Sequence, residues 1–145
     1  YAAKIIAYAQ GFDLLKQASA AYGWNLPLGN IASIFRAGCI IQAKFLNEIT
    51  RAYEKDAQLS HLLLDEFFQE RVVSYEKNLR QITAQAILSG LPVPAMANAI
   101  SYLDAFHARH VGANLIQAQR DYFGAHTYER TDEEGSFHHE WRRSA

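Results

Sequence analysis

Residues Leu62–Pro94 read LLLDEFFQERVVSYEKNLRQITAQAILSGLPVP, and the reading of this stretch decides the fold class. From Phe68 the apolar positions continue through Val72, Tyr75, Leu79, Ile82 and Ala86, in steps of four, three, four, three and four. An α-helix turns once in about 3.6 residues, so that alternation draws one stripe along a cylinder. A stripe of that kind needs another helix against it. The cluster Leu62, Leu63, Leu64, Phe67 and Phe68 starts the segment, and Gly90-Leu91-Pro92-Val93-Pro94 breaks it, since proline has no backbone donor to continue a helix.

The same period extends in both directions. Ile5, Tyr8, Phe12, Leu15 and Tyr22 predict an amphipathic first helix, with Gly23 as its stop. Trp24–Gly29 (WNLPLG) reads as a loop around Pro27. A second long helix is expected from about Asn30, a fair N-cap, to Tyr53. Its stripe would be Ile31, Ile34, Gly38, Ile41, Phe45, Ile49 and Tyr53. Gly38 inside it costs about 1 kcal/mol relative to alanine, which marks a close helix approach or a kink. Glu54–Ser60 reads as a connector. Pro94–His110, with Met96, Ile100, Leu103 and Phe106, and Ala113–Phe123, with Leu115 and Ile116, give two further helices. No sustained alternation of period two argues for a sheet. The expectation is an all-α domain of about five principal helices, followed by a mostly irregular C-terminal tail.

Composition sets limits on function. A chain of 145 residues, half of them hydrophobic, suits one domain with a real core. The formal net charge of −1 argues against a general nucleic-acid binder. The single cysteine, Cys39, cannot close an internal disulfide, which suits a reducing, cytoplasmic setting. No apolar run reaches the roughly 18–20 residues that span a bilayer, and no leader pattern is seen. The chain begins at Tyr1 inside a helical pattern, so a missing upstream portion is expected. From Gly124 the character changes to a charged stretch that keeps Tyr128, Phe137 and Trp141. Spaced aromatics imply that this tail packs on its own domain or on a second subunit.

Several side-chain groups invite a chemical reading and do not sustain it. Asp104, His107 and His110 would share a helix face, but a metal site needs roughly three or four converging ligands and no second pair exists to complete one. His138 and His139 are adjacent and point apart, so a solvated pair is expected. Thr131–Gly135 (TDEEG) reads as a solvated turn, and Cys39 as a buried structural thiol. Asp65, Glu66 and Glu70 lie beside Arg71, where helical ion pairing is the default. No glycine-rich phosphate loop or nucleophile elbow is present. One constellation remains: Arg120, in the last turn of the fifth helix, and His126, beyond a glycine hinge. A cation there suits the helix dipole, and the two side chains can also address one anionic ligand.

The string Leu115–Arg130 (LIQAQRDYFGAHTYER) resembles the C-terminal signature of the decarboxylating 6-phosphogluconate dehydrogenases, enzymes of the pentose phosphate pathway. The resemblance extends, in the family's order, to Tyr1–Ala20, Ile31–Gln42 (IASIFRAGCIIQ), Leu62–Phe68 and Gly90–Pro94. It implies a homodimer in which an N-terminal dinucleotide-binding domain, absent from this chain, binds NADP. Residues 1–124 would form a helical dimerisation and substrate domain, and residues 125–145 a tail reaching the partner subunit. The implied reaction oxidises and decarboxylates 6-phosphogluconate to ribulose 5-phosphate. By the same resemblance Arg120 and His126 contact the substrate in the partner's site, while catalytic, cofactor-binding and metal-binding residues are not assigned in this chain. Phe35 and Ala37 stand where many members carry tryptophan and glycine. The competing readings are a non-catalytic helical interaction module and the C-terminal domain of a related hydroxyacid dehydrogenase.

Overall fold

The computed structural model describes residues 1–36 and 38–141. Six α-helices are found among them: α1 Ala2–Tyr22, α2 Leu28–Ile34, α3 Leu46–Lys55, α4 Glu66–Leu88, α5 Pro94–His107 and α6 Ala113–Gly124. The chain divides into two compact units, Tyr1–Leu103 and the stretch from Asp104 onward. The all-α expectation holds, and the helix count rises by one for a definite reason.

That reason lies between Ile34 and Phe45, where one continuous helix was expected. Gly38 sits at φ 78° with nothing near its missing Cβ, so it marks a break rather than a close approach. Two α1 side chains take the carbonyls that a helix would have used: Lys4 Nζ donates to Gln42 O at 2.7 Å, and Tyr8 OH to Ile41 O. Ile34 and Ile41, placed on a buried stripe by their spacing, are exposed instead. Cys39 is half-buried. The close approach occurs at Gly29, inside the stretch expected to be a loop. A Cβ there would lie 3.4 Å from Tyr53 Cβ and 3.5 Å from Thr50 O, across the α2–α3 contact. Helix α2 starts one residue after Pro27, earlier than the expected cap at Asn30. Ala37, one of the two departures from the family pattern, lies outside the described residues.

The remaining boundaries follow from local chemistry. Gly23 at φ 65° ends α1, and its N–H and that of Trp24 both reach Ser19 O. Leu62–Leu64 form a 3-10 turn ahead of α4, not its first turn. Asp65 Oδ1 then accepts the Phe67 N–H at 3.1 Å and caps α4. At the other end Gly90, φ 73°, lets Leu91 N–H return to Ala86 O at 2.9 Å. The buried seam of α4 is Phe68, Val72, Leu79 and Thr83. Thr83 replaces Ile82, which is exposed, and it hides its hydroxyl by donating to Leu79 O at 2.7 Å.

The core of the first unit gathers Ile5, Ile6 and Phe12 of α1, Phe45 at the start of α3 and Phe68 of α4. Phe45 meets Tyr1, Tyr8 and Phe68 edge-on, with centroids 5.6, 5.3 and 6.0 Å away. His61 is buried at the edge of this unit. Its Nδ1 accepts the Leu63 N–H at 3.1 Å, which leaves Nε2 to carry the proton toward Tyr102 OH, 2.8 Å away. Burial pushes this imidazole below its ordinary pKa; Asp13 opposes the shift and Lys16 adds to it. The stability it contributes is therefore full above the unfolded value of about 6.5 and is lost as pH falls through the lower folded value. Urea midpoints should drop across that acidic window, and His61→Gln should flatten the drop. An unchanged slope in that variant would assign the drop to other groups.

Candidate functional site: the end of helix α6 and its tail

The second unit is built on α6. The helix ends because Ala125 turns left-handed at φ 48° and returns its N–H to Asp121 O at 2.9 Å. Thr127 is also left-handed, at φ 61°. Non-glycine residues there cost of order 1–3 kcal/mol each and persist where the surroundings over-determine them. Two side chains of α6 do so. Asp121 Oδ1 accepts the Thr127 N–H at 3.0 Å, and Gln117 Nε2 donates to Thr127 O.

Asp121 is fully buried and serves as a hub. Besides Thr127, it accepts from His138 Nδ1 at 2.8 Å, His139 N–H at 3.0 Å and Trp141 Nε1 at 2.9 Å. Burial opposes its ionisation, but the hydrogen bonds from His138, His139, Trp141 and Thr127 outweigh it and hold the carboxyl well below the usual range. Between these anchors Tyr128 and Phe137 form an isolated antiparallel bridge, with N–O distances of 2.9 and 2.8 Å. Their rings lie 6.2 Å apart. The Thr131–Gly135 stretch is exposed, as expected of a solvated turn, and Arg130 grips Asp132 through two bonds of 2.9 and 2.6 Å. Tyr128, Phe137 and Trp141 thus have contacts inside their own unit. His138 and His139 are exposed, as the solvated reading expects, and His138 in addition anchors one ring nitrogen on Asp121.

Arg120 and His126 are both exposed. Arg120 Nη1 donates to Gln117 Oε1 at 3.0 Å, so Gln117 joins Arg120 to the Thr127 peptide. The His126 ring lies edge-on to Phe123, 5.7 Å between centroids, and directly over Gly124. A Cβ at Gly124 would fall 2.7 Å from His126 Nε2. Glycine is therefore present for space, and the hinge dihedrals belong to Ala125 and Thr127. His126 lines an open cleft of about 380 Å³ with Gln117, Thr127, Tyr128, Glu129 and Ser136. Gly124→Ala should leave stability nearly unchanged, because only the far end of the exposed His126 side chain must move, yet should displace the imidazole from this cleft. A His126 chemical shift unaltered in that variant would contradict the geometry.

The pH response of the tail has the opposite sign to that of His61. Asp121 raises the His138 pKa, with burial opposing and Glu140 adding to the rise. Its contribution is full below the unfolded value of about 6.5 and is lost as pH rises through the folded one. Trp141 emission, read in a Trp24→Phe background, should report loosening on the alkaline side. His138→Gln should remove that transition; its persistence would place the titrating group elsewhere.

The other chemical candidates do not converge. Helix α5 ends at His107, so His110 leaves the face that Asp104 and His107 share. Among the described residues no group of three His, Cys, Asp or Glu is placed to hold a metal ion. Glu66 instead approaches Lys55 at 3.9 Å, and Arg71 lies over the Phe67 ring. A dinucleotide cradle requires a strand, a glycine-rich turn and a helix. The described residues offer helices and one bridge.

These features define a helical domain that ends in a pinned polar tail presenting a guanidinium and an imidazole to solvent. The chain belongs to the 6-phosphogluconate dehydrogenase C-terminal domain family, whose family model matches residues 1–141. It is 52% identical over 141 residues to the decarboxylating 6-phosphogluconate dehydrogenase of Lactococcus lactis subsp. lactis (strain IL1403), covering 97% of this chain and 30% of that protein. It is 52% identical over 143 residues to the NADP(+)-dependent, decarboxylating enzyme of Bacillus subtilis (strain 168), covering 99% and 30%. A solved Plasmodium falciparum 6-phosphogluconate dehydrogenase, studied in apo form and with NADP+ or 6-phosphogluconate, superimposes with a TM-score of 0.88 at 45% identity. That match covers 97% of this chain and 30% of the other. The chain thus spans about 30% of the length of these relatives.

Proposed function

We propose that this chain is the C-terminal helical part of an NADP-dependent, decarboxylating 6-phosphogluconate dehydrogenase that works as a homodimer in the cytoplasm. The family match over residues 1–141 carries this reading. In the proposed enzyme NADP takes the hydride in the portion outside this chain. Arg120 and His126 reach the substrate bound to the partner subunit and hold its anionic end. A guanidinium binds phosphate oxygens through parallel charge-assisted hydrogen bonds, and an imidazole donates to a phosphate or hydroxyl oxygen. Their role is placement of the reacting carbon, which lowers the barrier through orientation.

Exposure of the two side chains supports presentation to a partner over the interaction-module reading, whereas an apolar helix face supports an interface under either reading. Both side chains are exposed, not folded onto their own core. Helix α4 also leaves Val73, Ile87 and Leu88 exposed on a side away from its buried seam, apolar surface of the kind that marks interfaces. No helix among the described residues is long and apolar enough to cross a membrane. The direct test is an assay of the complete protein with 6-phosphogluconate and NADP. Production of NADPH and carbon dioxide together is expected. Reduction of NADP by another hydroxyacid without decarboxylation would move the assignment to a related dehydrogenase.

A further inference from the structure

Thr127 is held at both its backbone N–H and its carbonyl, in the two peptide planes that flank its Cα, and that arrangement reaches both proposed substrate residues. Its N–H is taken by Asp121 Oδ1 at 3.0 Å, and its carbonyl accepts from Gln117 Nε2. Gln117 Oε1 in turn receives Arg120 Nη1 at 3.0 Å. His126 is the residue immediately before this clamp, between two left-handed non-glycine residues, Ala125 at φ 48° and Thr127 at φ 61°. A β-branched residue rarely holds such a dihedral unaided. Removing the clamp releases the backbone on the C-terminal side of His126 and loosens the Gln117 support of Arg120.

We propose that Asp121 is the positioning residue of this site, setting the placement of His126 and, through Gln117, of Arg120. The proposal rests on the reading that these two side chains contact the substrate. Asp121 itself is fully buried, with its oxygens engaged by four donors, so it does not touch the ligand. Its burial also separates two functions of one carboxylate. Oδ1 holds Thr127 and His138, whereas Oδ2 holds the His139 N–H and the Trp141 indole. Loss of the Trp141 bond alone loosens the tail and leaves the Thr127 clamp in place.

The complete enzyme provides the test. Asp121→Asn replaces one acceptor with an NH2 group that opposes N–H donors, whichever way the amide turns. It should raise KM for 6-phosphogluconate by about tenfold to a hundredfold, the scale of one charge-assisted hydrogen bond lost to the ligand, and leave KM for NADP within about twofold. Trp141→Phe should lower the melting temperature yet keep both KM values near wild type. In a His126→Ala background Asp121→Asn should add less than it does alone, the remainder passing through Gln117 to Arg120, because residues acting as a unit are non-additive. If Asp121→Asn impairs folding, Asp121→Glu, which keeps the charge but shifts the carboxylate by one methylene, should give a smaller rise of the same kind. Equal KM rises in Asp121→Asn and Trp141→Phe, tracking stability loss, would overturn the proposal. So would a full, additive effect in the His126→Ala background. An unchanged KM in Asp121→Asn, with a raised KM in His126→Ala, would overturn the positioning role and leave the substrate-contact reading standing. An unchanged KM in His126→Ala itself would remove that reading, and the positioning role with it.

Discussion

Replacing Arg120 with alanine in the complete enzyme is expected to weaken 6-phosphogluconate binding by about 2–4 kcal/mol, or roughly thirtyfold to nearly a thousandfold. The magnitude is that of removing one partner from a desolvated, charge-assisted contact and leaving the other unpaired. NADP binding should change little, because no residue of this chain is assigned to it. Arg120 sits on the surface of its own chain and, among the described residues, bonds to Gln117, so its removal should not unfold the domain. Arg120→Lys should recover part of the loss: it restores the charge without the planar fork that engages two oxygens at once. Isothermal titration with each ligand separates these outcomes. A loss confined to NADP would defeat the assignment of Arg120 to the substrate.

The second large effect is on stability and lies in the other unit. Phe45→Ala should destabilise the first unit by about 3–5 kcal/mol, the range for deleting a buried phenyl ring. Phe45 is 1% exposed and meets rings from α1 and α4, so no single helix can move to refill the space. Phe45→Leu keeps most of the volume and should cost less than about 1.5 kcal/mol. Urea unfolding followed by far-ultraviolet circular dichroism reads both variants. Similar midpoints for the two would mean that the site collapses readily and that Phe45 does not tie the helices together.

The sequence showed its helical class plainly because the α4 period is long and its punctuation strong. Gly23 and Gly90–Pro94 stop helices through backbone geometry that needs no tertiary partner. The stretch from Ile34 to Phe45 misled for the opposite reason. Its apolar residues keep a three–four spacing, but its carbonyls are claimed by Lys4 and Tyr8, which lie more than 30 residues earlier. Periodicity does not register such long-range capture. Gly38 took the kink and not the close approach, and the close approach fell at Gly29, which was read only as the end of a loop; a sequence does not distinguish a glycine needed for space from one needed for its dihedral.

The proposed site was legible only in part. Arg120 and His126 stood out as a pair able to address an anion and took their substrate role from the resemblance, whereas the carboxylate that pins the chain around His126 was not singled out. A signal for it was present. Asp121 lies in the last turn of α6, where the helix dipole disfavours an anion. An acid in that position needs donors from the chain that follows, and Thr127, His138, His139 and Trp141 supply them. His138 was read as solvated because adjacency to His139 argues against chelation by the pair, but that says nothing about a buried carboxylate 17 residues back.

The central claim is that Arg120 and His126 serve the partner subunit's substrate. Subunit mixing tests it most directly. One parent carries Arg120→Ala; the other is inactivated in its dinucleotide-binding portion. Assayed at 6-phosphogluconate far below the raised KM of the Arg120→Ala dimer, each homodimer should show little activity. A hybrid dimer built on two-fold symmetry would contain one site with an intact dinucleotide portion from the first parent and an intact Arg120 from the second. Random mixing should therefore restore about a quarter of wild-type activity. A mixture no more active than its parents, with hybrid formation verified by mass, would contradict donation across the dimer.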